Sequence, residues 1–543
     1  MKKNIFVAMS SILVLGAALA GCGGDKPADS AAGNSQQTSS DSTGPKVLKL
    51  NLHSEPPTAD PGIAEDASSG AIIRATFDGL TRTQEDGKPH ESIAEKIEVS
   101  PDQLTYTFKL RDAKWSNGDP VTAQDFEYAW KRVLEPKTGS NYSYQLYYIK
   151  NAEKFNKGQA KAGDVGVKAL DEKTLQVTLE NPTPYFLELT SFYTYYPVNK
   201  KVVESNPNWA TDAKTHVGNG PFKMESWEHK NKLVLVKNDN YWDKDAVKLD
   251  KIEFSMVEDE NTELSMFDNG ELDWAGAPLS ALPTDAIPAL KDSGQMVTQP
   301  TAGLYMYKFN TEQTPFNNAK IRKAFAYAIN RQSIIDNVTQ ANQQPAMGLV
   351  PPSMAVSAEP YFKDNDVETA KKLLEEGMKE LGITKLPPIT LSYNTSEGHK
   401  KIAEAIQDQW KKAFGIDVKL ENKEWKVYLE DLHQGKFQIG RSGWLGDFND
   451  AVNFLDLFKQ KKGSNNDTNW ENPQYQELLN KSALETDPEK RKQILAEAEK
   501  LFMEEMPAAP IYFYTLSWVK KDNVKGVIID GLGFVDWKWA TIE

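Results

Sequence analysis

Asp447 and Asp450 stand three residues apart in the aromatic-rich stretch Gly440 to Phe454, GRSGWLGDFNDAVNF. Two such carboxylates could trade protons in glycosidic hydrolysis, but the acids of that reaction normally come from separate elements that flank the bond. Other groups that carry chemistry are scarce. The chain has six histidines and one cysteine, which excludes an internal disulfide and a cysteine-based zinc cluster and disfavours a multi-histidine metal site. No GxGxxG or GxxxxGK[ST] loop offers amides to a phosphate, no HExxH offers a helical metal site, and no GxSxG marks a nucleophile elbow. The expectation is a protein with no catalytic residue, no metal and no cofactor, whose chemistry is binding.

The elements that must position these residues alternate between strand and helix patterns. Val47 to Leu52, Leu104 to Leu110, Leu175 to Leu179 and Leu233 to Val236 have the alternation or apolar density of strands. Ile402, Ile406, Trp410 and Ala413 recur at helical spacing, with Gly415 as the residue that ends the helix. Asp487-Pro488-Glu489 opens another helix with an acid at the cap and proline at its first position. With 543 residues and 10% aromatic content, the chain can build three or four α/β domains, or fewer large ones. Its formal net charge of -14 argues against nucleic acid as a partner.

The N-terminus points to a membrane surface. Lys2 and Lys3 precede the apolar run Ile5 to Ala20, which ends in Leu19-Ala20-Gly21-Cys22. The run is shorter than a comfortable span and suits a signal peptide. Its end resembles the lipobox of bacterial lipoproteins, which implies a signal peptide at 1–21 and lipidation of Cys22. Gly23 to Pro45 then contain no Val, Ile, Leu, Met or aromatic residue. Such a segment has nothing to bury, so 22–45 reads as a tether with a root-mean-square span of roughly 25–30 Å. The expected location is the extracytoplasmic face of the cell membrane.

Five segments in collinear order resemble the extracytoplasmic oligopeptide-binding proteins of ABC importers, solute-binding protein family 5. They are Leu104 to Trp130 (LTYTFKLRDAKWSNGDPVTAQDFEYAW), Asn219 to Phe222 with Asn240-Tyr241-Trp242, and Leu391 to Lys400 (LSYNTSEGHK) with the Trp410 helix and Glu421 to Trp425. Gly440 to Phe454 and Pro507 to Tyr514 (PAAPIYFY) complete the set. The resemblance implies an α/β, two-lobed periplasmic-binding-protein-like fold (class II) with an additional inserted domain. Domain I is expected near 46–78, 200–300 and 516–543, the inserted domain II near 79–199, and domain III, the second lobe, near 300–515. The implied function is a monomeric receptor that binds short peptides by their N-terminus and backbone, closes by a hinge motion, and passes them to the transmembrane subunits of an ABC permease. Receptors of the same fold for a dipeptide, a murein peptide, a peptide pheromone or a nickel chelate are alternatives; an extracellular hydrolase is a more distant one.

The resemblance also assigns residues. Asp447, in Trp444-Leu445-Gly446-Asp447, falls where the family binds the peptide ammonium. Gly443 and Trp444 fall where family members present backbone to the peptide. Glu65 and Ala67 match an early segment that pairs with the ligand backbone. Tyr142 and Tyr514 match tyrosines near the peptide's N-terminal end. Trp425, His399 and Arg441 match pocket-lining positions, the latter two able to meet a peptide carboxylate, His399 when protonated. A family lysine for that carboxylate would fall around Val338 to Gln340, where this sequence has none, which leaves the preferred peptide length open.

Overall fold

The structure is a computed structural model that describes residues 44–461, 465–485 and 487–543. Cys22, the expected signal peptide and nearly all of the expected tether lie outside the described residues. Among the described residues no helix is long and apolar enough to cross a membrane.

Val47–Asn51 is too short to be stable alone and finds its partner two hundred residues away. It runs parallel to Lys251–Ser255, which pairs antiparallel with Lys232–Lys237, and that strand with Phe222–Glu228. The register sets Leu48 beside Ile252 and Leu50 beside Phe254, and all four are buried. Alternation thus sends every second side chain to the core.

A second four-stranded sheet is local. Ala94–Val99, Thr105–Leu110, Thr174–Thr178 and Val167–Asp171 pair in that order, all antiparallel. Helix Ala123–Leu134 buries Phe126, Trp130 and Val133, and the Trp130 indole donates to the Tyr195 carbonyl at 2.7 Å.

The third sheet has seven strands. Trp274–Gly276, Ala508–Lys520, Val297–Phe309, Ile439–Leu445, Ile389–Asn394 and Val418–Lys423 follow in order, and Gln344–Pro345 joins Ala508–Lys520 off that path. The last three strands of the path are mutually parallel, the others antiparallel. The two 13-residue strands at its centre lose register between Pro300 and Leu304. There Ala302 donates to the Gly531 carbonyl (2.9 Å) and accepts from the Gly446 amide (2.8 Å). Proline has no amide to continue the ladder, and beyond it the Ala302 carbonyl instead holds Gly446, the residue next to Asp447.

The helices end where their sequences say they should. Glu397–Phe414 stops at Gly415, whose φ of 69° costs glycine little. Pro488–Glu505 starts at Asp487, whose Oδ1 accepts from the Glu489 and Lys490 amides at 3.0 and 3.1 Å. Asp487→Ala is expected to lower stability by about 1 kcal/mol, measured by urea unfolding at neutral pH with an unchanged slope.

The C-terminal residues return to the start of the body. The Arg82 guanidinium, 3% exposed, donates to both oxygens of Asp536 (2.6 and 2.8 Å) and to Asp78 (3.3 Å). Asp78 in turn accepts from the Tyr241 hydroxyl at 2.8 Å and the Trp242 indole at 3.0 Å. An arginine this deep is held because its neighbours neutralise and saturate it.

Candidate functional site

Strand Ile439–Leu445 carries most of the candidate residues. On one side it pairs with Val297–Phe309 throughout, with Arg441 beside Tyr307, Gly443 beside Tyr305 and Trp444 beside Leu304. On the other side its parallel ladder with Ile389–Asn394 ends at Ser392 and Gly440. The stretch Arg441–Leu445 therefore keeps one edge outside any ladder, where an extended chain could add as a strand.

Asp447 follows that edge and is 5% exposed. Its oxygens accept from the Gln145 amide (2.5 Å), the Asn453 amide (3.2 Å) and the Tyr142 hydroxyl (3.3 Å). Asn453 also accepts from the Asp447 backbone amide (3.1 Å) and the Trp444 indole (2.9 Å), which locks the turn. Every one of these donors is neutral, and among the described residues no cationic side chain forms an ion pair with Asp447. Burial pushes its carboxyl up to about 7, against the pull of those hydrogen bonds. Aromatic rings wall the group: Tyr142 stacks 5.9 Å from Trp444 and 5.8 Å from Tyr144, with Phe192 at 5.5 Å. A buried carboxylate with neutral donors and π faces fits an ammonium group.

A second cluster lies back along the strand. The Arg441 guanidinium donates to the Tyr514 hydroxyl (2.8 Å) and to Asn394 Oδ1 (3.4 Å), and its carbon sits 4.7 Å from the centre of the Tyr305 ring. Its buried Nε has no hydrogen-bond partner among the described residues. His399, in the first turn of helix Glu397–Phe414, places Nδ1 3.3 Å from the Tyr305 hydroxyl. Burial, then the charges of Arg441 and His53, hold its imidazole well below the usual histidine range. His399 is thus neutral at physiological pH and can meet an anion only as a hydrogen-bond donor or after taking up a proton. Gly443 lies against Tyr514, and a Cβ there would collide with the tyrosine hydroxyl. Glycine at this position leaves room for the Tyr514 hydroxyl, which reaches across from a strand that is not its neighbour.

The remaining candidates divide. Glu65 pairs with His433 at 2.8 Å and accepts from Asn141 at 2.9 Å, so its carboxylate is engaged by side chains. Ala67 is exposed at the first position of helix Ala67–Thr76, which Asp66 caps. Trp425 opens helix Trp425–His433, half-buried against Tyr428, Leu432 and Phe437. It connects to the strand through Tyr428, whose hydroxyl donates to the Arg441 carbonyl at 2.7 Å. The structure therefore groups Asp447, Trp444 and Tyr142, and separately Arg441, Gly443, Tyr514 and His399. Gln145, Asn453 and His433 join the candidate residues only through the fold. Asn453 lies inside the Gly440 to Phe454 stretch and Gln145 three residues beyond Tyr142, but nothing local marks either as a partner of Asp447.

Comparison with known proteins adds the following. A family model described as bacterial extracellular solute-binding proteins, family 5 middle, matches residues 88–466. The oligopeptide-binding protein OppA of Bacillus subtilis is 56% identical over 511 residues, covering 93% of this chain and 94% of that protein. The solved structure of Listeria monocytogenes OppA bound to peptide superposes with a TM-score of 0.85 at 34% identity, covering 92% of this chain and 99% of that one. The Escherichia coli murein tripeptide binding protein MppA gives a TM-score of 0.87 at 33% identity over 92% and 98% of the two chains. A structure of MppA in its unliganded open form gives 0.62 at 33% identity over 92% and 97%.

Proposed function

The chain belongs to the bacterial extracellular solute-binding proteins of family 5, and from that premise we propose that it captures short peptides outside the cytoplasm and delivers them to the transmembrane subunits of an ABC importer. The observation that carries this reading is Asp447: a buried carboxylate with neutral donors on its oxygens, set at the end of an open strand edge. A peptide supplies what both features lack. Its α-ammonium completes the ion pair, and its backbone completes the ladder. Both are common to all peptides, so such a site reads the chain rather than its sequence. The names of OppA and MppA, each given for a peptide it binds, support the same ligand class.

In this reading Trp444 and Tyr142 wall the ammonium, with Tyr514 nearby, while Gly443, Glu65 and Ala67 present backbone. Arg441 and His399 face the ligand carboxylate, and Trp425 lines a side-chain pocket. Domain I comprises 46–78, 200–300 and 516–543, domain II 79–199 and domain III 300–515. This division agrees with a sheet assembled from 47–51 and 222–255 and another contained within 94–178. Cys22 carries the lipid that holds the receptor, a monomer, at the outer face of the membrane, and two acyl chains would suffice for stable anchoring. The reading assigns no catalysis to the chain.

Native mass spectrometry of the purified protein tests the ligand class. Co-purifying adducts with the masses of intact short peptides are expected. A sugar or metal chelate in their place would overturn the proposal, and cleavage of an added peptide pool would turn it towards a hydrolase.

A further inference from the structure

We propose that Glu65 and His433 form a clasp between the two lobes that holds part of the ligand-free protein closed. The inference rests on the two-lobe division above and needs no ligand in the cleft. Glu65 lies in the loop before helix Ala67–Thr76, in domain I. His433 ends helix Trp425–His433, in domain III. Their 2.8 Å contact can exist only when those two faces meet.

The clasp is one link in a chain of alternating charge. Lys308 Nζ lies 2.6 Å from Asp467 Oδ2, Asp467 Oδ1 lies 2.7 Å from His433 Nδ1, and His433 Nε2 lies 2.8 Å from Glu65 Oε1. The Asn141 side-chain amide, from the inserted domain, donates to the free oxygen of Glu65 at 2.9 Å. Both ring nitrogens of His433 therefore face carboxylates, which only an imidazolium can satisfy as a double donor. Burial opposes that charge, but hydrogen bonds and attraction from Asp467 and Glu65 push the group up to about 10. Lys308 and Asp467, each 4% exposed in their side chains, anchor the domain III side. The charged groups facing His433 among the described residues are Glu65, Asp467 and, through Asp467, Lys308.

Two cations and two anions alternate along this row, so closure buries no net charge. Opening would leave His433 with Asp467 and release Glu65 to water. The described conformation resembles one structure of MppA with a TM-score of 0.87 and the unliganded open form with 0.62, so it is one in which such contacts form. None of the clasp's charged groups is a hydrogen-bond partner of Asp447, so closure bias and ammonium recognition can be separated experimentally.

The test is small-angle scattering on the full chain stripped of co-purified peptide, at neutral pH, for wild type, Glu65→Gln and Glu65→Lys. Glutamine keeps the shape and a hydrogen-bond acceptor but removes the charge; lysine repels the imidazolium. The ligand-free radius of gyration is expected to rise from wild type to E65Q to E65K. Peptide affinity of E65Q is expected to fall about tenfold, with the preference for free over N-acetylated peptides intact. Scattering curves that coincide for all three proteins overturn the clasp, including the case where affinity alone falls, which would make Glu65 a direct ligand contact. Because the scattering arm uses no ligand, a failure of the peptide reading leaves its outcome unchanged.

Discussion

Replacing Asp447 with alanine is expected to weaken binding of short peptides by about 3–5 kcal/mol, or about 100- to 5,000-fold in dissociation constant. The size follows from where the group sits. The complex would bury an α-ammonium among Tyr142, Trp444 and the Gln145 and Asn453 amides, all neutral. With the carboxylate removed, that buried ammonium has no counter-charge. Acetylating the peptide N-terminus removes the other half of the pair and should cost the wild-type protein a comparable amount. In the Asp447→Ala background the two effects should no longer add, because the second change finds no partner left to lose. Calorimetry with one peptide in free and acetylated forms, against both proteins, completes the cycle. Equal wild-type affinity for the two forms would sink the assignment of Asp447.

The second large effect is on pH dependence. Burial holds the ligand-free Asp447 carboxyl at about 7, whereas an ammonium beside it favours the ionised form and lowers it. Below pH 7 the free protein must therefore release a proton to bind. Affinity should fall as pH drops, by up to about 50-fold between pH 7 and pH 5. The acid limb belongs to the protein, since a peptide ammonium stays charged throughout that window. Near pH 8 the peptide's own amine is losing its proton, so affinity should pass through a maximum between these limits. His433, held at about 10 by its two carboxylates, stays charged across the acid limb. Asp447→Asn should bind weakly with no acid limb. An affinity that is constant or rising from pH 7 to pH 5 in the wild type would show that Asp447 is not the group the ligand meets.

The candidate site was partly legible before any coordinates. Asp447, Trp444 and Tyr142 could be named because the segments around them resemble a family, and the structure sets these three in contact. What could not be read were the residues that make Asp447 unusual. Gln145 lies 302 residues away along the chain, and the raised carboxyl depends on how completely 140–148 covers the turn at 446–453. Burial is a property of packing, and no spacing rule reports it. His399 shows the same limit from the other side. Its type suggests a cation, but its surroundings hold it neutral.

For this protein, the linear sequence determined what local physics can decide. Alternation set the faces of Val47–Asn51 and Thr105–Leu110, Asp487 and Gly415 set two helix ends, and composition argued against nucleic acid as a partner and excluded a cysteine-based zinc cluster. Only the tertiary structure decided which ladder stops at Gly440, which carboxylate is buried beside neutral donors and which is tied to His433. Strand and helix patterns arise from neighbours within a few residues, whereas ionisation and pairing depend on groups hundreds of residues apart that meet when the chain closes on itself.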